Sequence, residues 1–312
     1  MNSPRISLIV PAHNYARFLP RCLDAIFSQT AAPLEVIVVD DGSTDDTRAV
    51  CLGYGDRLRY HYQANRGLSG ARNAGVQIAA GDWFLFCDAD DRLRPRALEA
   101  LSRCAEAPST GVVYGKCIEF FEDGRTGAVM GDARAAGPPP LPTRANFWKS
   151  IIATSGAALV RRTTFEKVGG YAEPFVICED REFWIKAGMY ADFAFCDEIV
   201  LEKSTRSDSL VSRKGLMIYW PMMFQLRFLD WCLERGLDSS PLDVTPARIV
   251  ANAYQYTIAG AHPGYLWKCR QEARRRGVQR PGAREVLATI RRHGVPAWLQ
   301  LLRGGVKRVV AP

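Results

Sequence analysis

Apolar and polar positions fall into blocks along the first ninety residues, and the period of the blocks alternates. Residues 5–10 (Arg-Ile-Ser-Leu-Ile-Val) form a short apolar run stopped by Pro11, the pattern of a buried strand. Within 16–29, Phe18, Leu19, Cys22, Leu23, Ile26 and Phe27 recur in pairs four apart, one stripe of an amphipathic helix. Glu35 to Val39 predicts a second buried strand, closing in Asp40-Asp41-Gly42-Ser43. A helix over Thr44–Gly53 follows, with Ser43 and Asp46 spaced as a capping box. A strand near Leu58–Tyr62, a turn-rich loop Asn65–Gly70, a helix over about Ala71–Ala80 and a strand Trp83–Cys87 complete the series.

Strands alternating with helices at these spacings predict an α/β fold, Rossmann-like, with a mostly parallel sheet flanked by helices. Right-handed crossovers send the C-terminal ends of the strands to one edge, where open α/β sheets bind ligands. That rule puts His13, Asp41 and the Asp88 cluster on one rim. Residues 131–142, rich in Pro and Gly, read as a loop or lid between two halves. From about Gly215 the pattern turns helical: Leu216, Tyr219, Met223, Leu226, Leu229 and Leu233 recur every three or four residues, with Pro221 starting or kinking that helix. Two basic helices are expected over Pro246–Arg276 and Pro281–Arg292. The resulting division is 1–212, with halves of about 1–115 and 116–212, and a basic helical C-terminal region 213–312.

Composition narrows the class. With 312 residues, 47% apolar and 24% charged, the chain can bury a substantial core and is not dominated by disorder. Nine scattered cysteines, never spaced C-x-x-C, argue against a disulfide scaffold or structural zinc and for buried, reduced thiols. No apolar run approaches the roughly 18–20 residues that span a bilayer, and Met1–Arg5 lacks a signal-peptide core. A cytoplasmic protein is therefore expected, with room for peripheral attachment at the inner face of the membrane. Residues 201–312 hold 19 Lys and Arg against 8 Asp and Glu, while the first 200 hold 22 against 25. An acidic front and a basic tail suggest two jobs.

The sharpest chemistry is Phe86-Cys87-Asp88-Ala89-Asp90-Asp91 at the end of an apolar strand. Strand alternation would point Asp88 and Asp90 to one side, and hard carboxylate oxygens suit Mg²⁺ or Mn²⁺ bridging phosphates. A solvated acidic turn is the plainer alternative. Asp40 and Asp41 equally fit a helix-capping turn, and Glu179-Asp180 a helix cap, although on the same rim Asp180 becomes a candidate general base. Arg72, read in the first turn of its helix, fits either an anion site or a surface arginine.

The ensemble resembles the family 2 glycosyltransferases of GT-A fold. Four blocks follow that family's order and spacing: Ser7 to Tyr15, Glu35 to Ser43, Asn65 to Gly75, and Asp88 to Asp91. Gly169-Gly170-Tyr171 and Glu179 to Trp184 are similar to its acceptor-side blocks, so the likeness runs over about 5–212. The resemblance implies a nucleotide-sugar donor, UDP-sugar favoured, a divalent cation (Mn²⁺ or Mg²⁺) and inversion at the anomeric carbon. It implies that Pro11, His13, Asn14 and Asp41 line the base and ribose pocket and that Arg72 lies near the nucleotide. It also implies that Asp88, Asp90 and Glu179 face the donor, that Asp90 and Asp91 hold the metal, and that Asp180 is the base. The acceptor would be a hydroxyl of a glycan or of a lipid-linked acceptor.

Two departures from the family pattern stand out. His13 occupies a position often aromatic, and Arg206 stands near Ser207-Asp208-Ser209-Leu210 where relatives carry a metal-binding histidine. Arginine cannot ligate a cation but can contact a diphosphate, so a weaker metal requirement is expected. Two enzymatic rivals share features: a haloacid-dehalogenase-like phosphatase using Asp88 and Asp90, and a sugar-1-phosphate nucleotidyltransferase. The +8 charge invites a nucleic-acid binder, but no nucleic-acid module is recognisable and no such partner is expected. Ala297 to Arg303 and Lys307 to Val310 mix apolar and basic residues, a pattern that fits an anionic membrane surface or docking on the protein's own core.

Overall fold

The computed structural model describes residues 4–133, 136–138, 152–173, 175, 177–206, 216–242, 244–250, 253 and 263–278. The elements are β1 (Ile6–Ala12), α1 (Leu19–Phe27), β2 (Glu35–Asp41), α2 (Thr47–Gly53), β3 (Arg59–Gln63), α3 (Gly67–Ile78), β4 (Trp83–Phe86) and β5 (Arg92–Leu93). They continue with α4 (Ala97–Cys104), β6 (Thr110–Phe120), β7 (Thr126–Met130), β8 (Ala158–Arg161), α5 (Arg162–Val168), α6 (Glu179–Ala187) and β9 (Asp192–Ser204). In the C-terminal region lie α7 (Leu216–Glu234) and α8 (Pro263–Arg275). Chain contacts divide the molecule into two compact units, 1–207 and 208–312.

In the first unit the strands order as β3-β2-β1-β4-β8-β6-β9-β5, with β7 beside β6. The pairings among β1, β2, β3 and β4 are all parallel, in the order that the alternating pattern requires. Beyond β4 the sheet is mixed: β8 runs antiparallel to both β4 and β6, while β9 returns parallel to β6. The fold is the expected GT-A type of α/β arrangement. All seven residues of β1 and all four of β4 are buried, which is why both read as unbroken apolar runs. α3 lies so close to β1 that a Cβ on Gly75 would come within 2.4 Å of Ile9 Cγ2. That contact leaves no room for any larger residue and fixes the helix against the central strand.

Several local expectations are corrected. α3 starts at Gly67 rather than Ala71, so Arg72 sits in the second helical turn. α2 has no Ser43–Asp46 capping box; Asp45 Oδ1 instead accepts from the Thr47 backbone N–H at 3.0 Å and from its hydroxyl at 2.6 Å. Asp88 to Asp91 form a turn beyond β4, closed by the Asp91 N–H donating to the Asp88 carbonyl at 2.9 Å, so strand alternation does not govern their directions. Within the expected lid, Gly137 exchanges two backbone hydrogen bonds of 2.9 Å with Phe193, forming a bridge to β9. The rest of the lid from 139, the Ser207–Leu210 stretch, the 281–292 helix and the 297–310 tail lie outside the described residues. Pro221 lies inside α7, and the other expected basic helix is represented by residues 246–250 and α8. All nine cysteines are free thiols, and all but Cys104 are buried.

Candidate active site

The C-terminal ends of β1, β2 and β4 meet as expected, and short hydrogen bonds tie their loops. His13 donates from Nδ1 to the Asp41 carbonyl at 2.8 Å, and Asn65 Nδ2 approaches the same ring at 3.2 Å. Asn14, at φ +59°, uses Oδ1 to accept from the Thr44 N–H at 2.7 Å, while its own N–H donates to Ser43 Oγ at 2.9 Å. Asn14 therefore staples the two loops together. Pro11 is buried within β1 just below.

Asp40 and Asp41 are buried, and neither caps α2. Asp40 accepts from the Ser43 N–H at 2.8 Å and from the Tyr60 hydroxyl at 2.6 Å. Asp41 Oδ1 accepts from Gln63 Nε2 at 2.6 Å and from the Arg66 N–H at 2.8 Å, so it binds the loop entering α3. Gly42, at φ +77°, makes this possible: a Cβ there would lie 2.9 Å from the Asn65 backbone nitrogen.

Arg72 is the hub of the deeper layer. Its side chain is 2% exposed; Nη2 donates to Asp88 Oδ1 at 2.8 Å and Nη1 to Glu179 Oε1 at 2.9 Å. The guanidinium lies 5.0 Å from the Tyr171 ring centroid, and that ring stacks on Phe183 at 4.4 Å. Arg72 thus joins the end of β4 to the start of α6; burial alone would disfavour its charge, but the facing carboxylates of Asp88 and Glu179 outweigh that and leave it more firmly protonated. Next to it, Asn73 clasps Tyr171 in both directions, Nδ2 to the carbonyl and Oδ1 from the N–H, each at 2.9 Å.

Glu179 and Asp180 open α6 behind Cys178, which is held at φ +69°. The helix-cap reading fails for Glu179, whose carboxylate goes to Arg72 instead. Burial and the neighbouring Asp180 nonetheless push the Glu179 carboxyl up to about 7, because Arg72 offsets only part of that cost. Asp180 is half-buried, with Oδ1 accepting from the adjacent Arg181 N–H at 2.7 Å.

The tip of the acidic turn is different. Asp90 faces Arg206, whose Nη2 lies 3.4 Å from Asp90 Oδ2 and donates to the Tyr15 hydroxyl at 3.1 Å. The Arg206 guanidinium also lies 4.5 Å from the Phe18 ring centroid. Burial and the charge of Asp88 push Asp90 up to about 6. Asp91 is buried; Oδ1 accepts from the Ser204 N–H at 2.8 Å, but Oδ2 has no hydrogen-bond partner. Its carboxyl is raised well above the ordinary range by burial, Asp88 and Asp90. Among the described residues no three His, Cys, Asp or Glu side chains converge into a protein-only metal cage.

Gln63, Tyr60, Asn73, Tyr171 and Ser204 were not singled out by the sequence pattern as parts of this network. Asn73 and Tyr171 lie inside recognisable blocks, but their pairing across 98 positions leaves no local periodicity.

The sequence matches the profile of Glycosyl transferase family 2 over residues 7–169. It is 32% identical over 194 residues to a PGL/p-HBAD biosynthesis glycosyltransferase of Mycobacterium tuberculosis, covering 60% of this chain and 70% of the relative. It is 37% identical over 217 residues to an uncharacterized glycosyltransferase of Rickettsia typhi, covering 69% and 68%. The fold is shared with S. aureus TarS 1–349 in complex with UDP-GlcNAc, at TM-score 0.57 and 19% identity over 88% of this chain and 92% of that one. It is shared too with the mannosyltransferase PcManGT of Pyrobaculum calidifontis in complex with GDP-Man and Mn²⁺, at TM-score 0.55 and 20% identity over 100% and 82%. The phosphatase alternative loses its ground here, since it would need Asp88 as a free nucleophile and Arg72 already holds that carboxylate. With the family profile covering more than half of its length, the chain belongs to glycosyl transferase family 2 and is a glycosyltransferase.

Proposed function

We propose that the enzyme is an inverting transferase that passes a sugar from a nucleotide-sugar donor, UDP-sugar favoured, to a hydroxyl of a glycan or lipid-linked acceptor of the cell envelope. The observation that carries this reading is the charge imbalance at the end of β4. Asp90 and Asp91 are both pushed toward protonation, and Asp91 Oδ2 has no partner, so the turn is short of positive charge. A divalent cation suits this deficit. Without a three-ligand cage among the described residues, one or two carboxylates would hold Mg²⁺ or Mn²⁺. The partly exposed Asp90 is the better-placed ligand, and the buried Asp91 supports it from behind while anchoring Ser204. Held there, such a cation would supply charge neutralisation for the departing diphosphate.

The chain's own groups supply the rest. Pro11, His13, Asn14 and Asp41 form the rim proposed to receive the base and ribose. Asp88 and Glu179 are held by Arg72 at the donor side, and Arg206, held beside Asp90 by Tyr15 and Phe18, is the cation proposed to meet the diphosphate. Asp180 takes the proton from the acceptor hydroxyl as that oxygen attacks the anomeric carbon opposite the leaving group. One new glycosidic bond forms, the sugar–phosphate bond breaks, and configuration inverts. The basic C-terminal region is proposed to bring the enzyme to an anionic membrane carrying a lipid-linked acceptor.

Asp180→Asn tests the central assignment. Nucleotide binding should persist while transfer, followed by nucleotide release from the donor, falls by about 10²–10⁴-fold. Retention of full activity would remove Asp180 from the mechanism.

A further inference from the structure

The inner and outer faces of α8 differ in kind. Cys269, Glu272 and Ala273 are buried. Glu272 accepts from Arg276 Nε at 2.6 Å, and the other nitrogens of Arg276 grip Asp230 of α7 at 2.8 and 2.5 Å. The helix's own carboxylate and its acidic neighbour on α7 are therefore satisfied from within. The opposite stripe, at spacings of three, four and seven, is Trp267, Arg270, Gln271 and Arg274, all exposed. Trp267 is 59% exposed. Lys268, which lies over the Tyr219 ring at 5.1 Å, and Arg275 flank the stripe. No acidic residue belongs to that face, and residues 263–312 as a whole carry 12 Lys and Arg against 2 Asp and Glu.

A large indole left in water beside the exposed Arg270 and Arg274 serves no packing purpose within α8. Its ring and polar N–H suit the boundary between headgroups and acyl chains, and the arginines suit lipid phosphates. At 13 residues the helix is about 20 Å long and strongly charged, so it would lie along a bilayer rather than cross it. No described helix is long and apolar enough to cross. We propose that the Trp267–Arg270–Arg274 stripe docks on the surface of an anionic lipid bilayer. The inference deepens the lipid-linked acceptor reading and rests on it for its biological sense, while its geometry belongs to α8 alone.

Co-sedimentation of the full chain with vesicles tests this. Phosphatidylcholine vesicles are compared with vesicles also containing phosphatidylglycerol, at low and high salt. Binding is expected on the anionic vesicles, weakening with salt. Arg270→Ala with Arg274→Ala should lower the partition coefficient about twenty-five-fold, at roughly fivefold per basic residue near the surface. Trp267→Ala should weaken binding further, and brominated lipid should quench tryptophan fluorescence less in Trp267→Phe than in the unaltered chain. Circular dichroism and nucleotide titration of each variant show that the fold and the donor site survive. Equal sedimentation with neutral vesicles, indifference to these substitutions, or binding of an RNA oligonucleotide in place of vesicles would overturn the proposal. Nucleotide binding without vesicle binding would sink this inference alone, and the converse would sink the donor reading alone.

Discussion

Asp88 and Asp90 are two residues apart, yet the protein treats them in opposite ways. Asp88 shares with Glu179 a fully buried arginine whose fork meets both carboxylates, with an aromatic face against it. Asp90 has the Arg206 guanidinium at 3.4 Å and Asp91 the Ser204 N–H, with Lys203 nearby, yet burial and mutual repulsion still push both toward protonation. The first arrangement gives each carboxylate a direct charge partner and ties two elements together, although Arg72 Nε is left without a hydrogen-bond partner. The second waits for positive charge. A buried ion pair stripped of one partner is costly, whereas a carboxylate already short of a cation gains from one. Direct pairing with a buried guanidinium on one side and an unpartnered carboxylate oxygen on the other separate the structural part of the acidic rim from the part fit for chemistry.

The largest effect should come from breaking the directly paired side. Arg72→Met strands Asp88 and Glu179 without their cation and should cost about 3–5 kcal/mol, lowering the melting temperature by roughly 10 °C. Arg72→Lys, which keeps the charge but loses the fork, should recover only part of it. If Arg72→Met melts like the unaltered protein, the hub is not structural.

Both sides should answer to pH, because Glu179 stays raised despite Arg72. Asp90 at about 6 and Glu179 at about 7 both exceed the values near 4 of an unfolded chain. A folded state that holds those protons more tightly is favoured below pH 4 and loses that advantage as pH rises through about 6 to 7. In EDTA the melting temperature should therefore fall between pH 5 and 8, and Mn²⁺ should restore more of it at pH 8 than at pH 5. Asp90→Asn should flatten the Mn²⁺ effect. Equal stabilisation by Mn²⁺ at both pH values would argue against a metal competing with protons at Asp90.

Smaller changes sharpen the same contrast. Asn73→Ala removes the two-way clasp on Tyr171 and should cost about 1–2 kcal/mol in thermal or urea unfolding. Asp91→Asn keeps an acceptor for the Ser204 N–H while deleting an uncompensated charge, so the change at pH 8 should stay within about 1 kcal/mol. A loss as large as that of Arg72→Met would show that Asp91 is as fully paired as Asp88.

Much of the first half was legible before any coordinates. β1 and β4 are buried on both faces, so their apolar runs announce them, and alternation with α1, α2 and α3 sets their parallel order. The shared rim of His13, Asp41 and Asp88 followed from that order. The antiparallel strand β8 and the long β6 and β9 gave no such signal, because their pairing joins residues far apart in sequence. The partners of the acids were hidden for the same reason. Glu179 looks like a helix cap until Arg72, 107 positions earlier, is seen to claim it. The start of α3 was misplaced because Gly67 and Gly70 suggest a turn, whereas Gly70 is buried in the helix against Arg66.

Calorimetric titration of UDP, GDP and dTDP, each with Mn²⁺ and again with EDTA, tests the central claim most directly when run on the unaltered chain and on Asp90→Asn. One nucleotide should bind in the micromolar range with Mn²⁺, and that binding should vanish with EDTA and in Asp90→Asn. If no nucleotide binds under either condition, or if binding ignores both EDTA and the substitution, the deficit at Asp90 is not the donor and metal site.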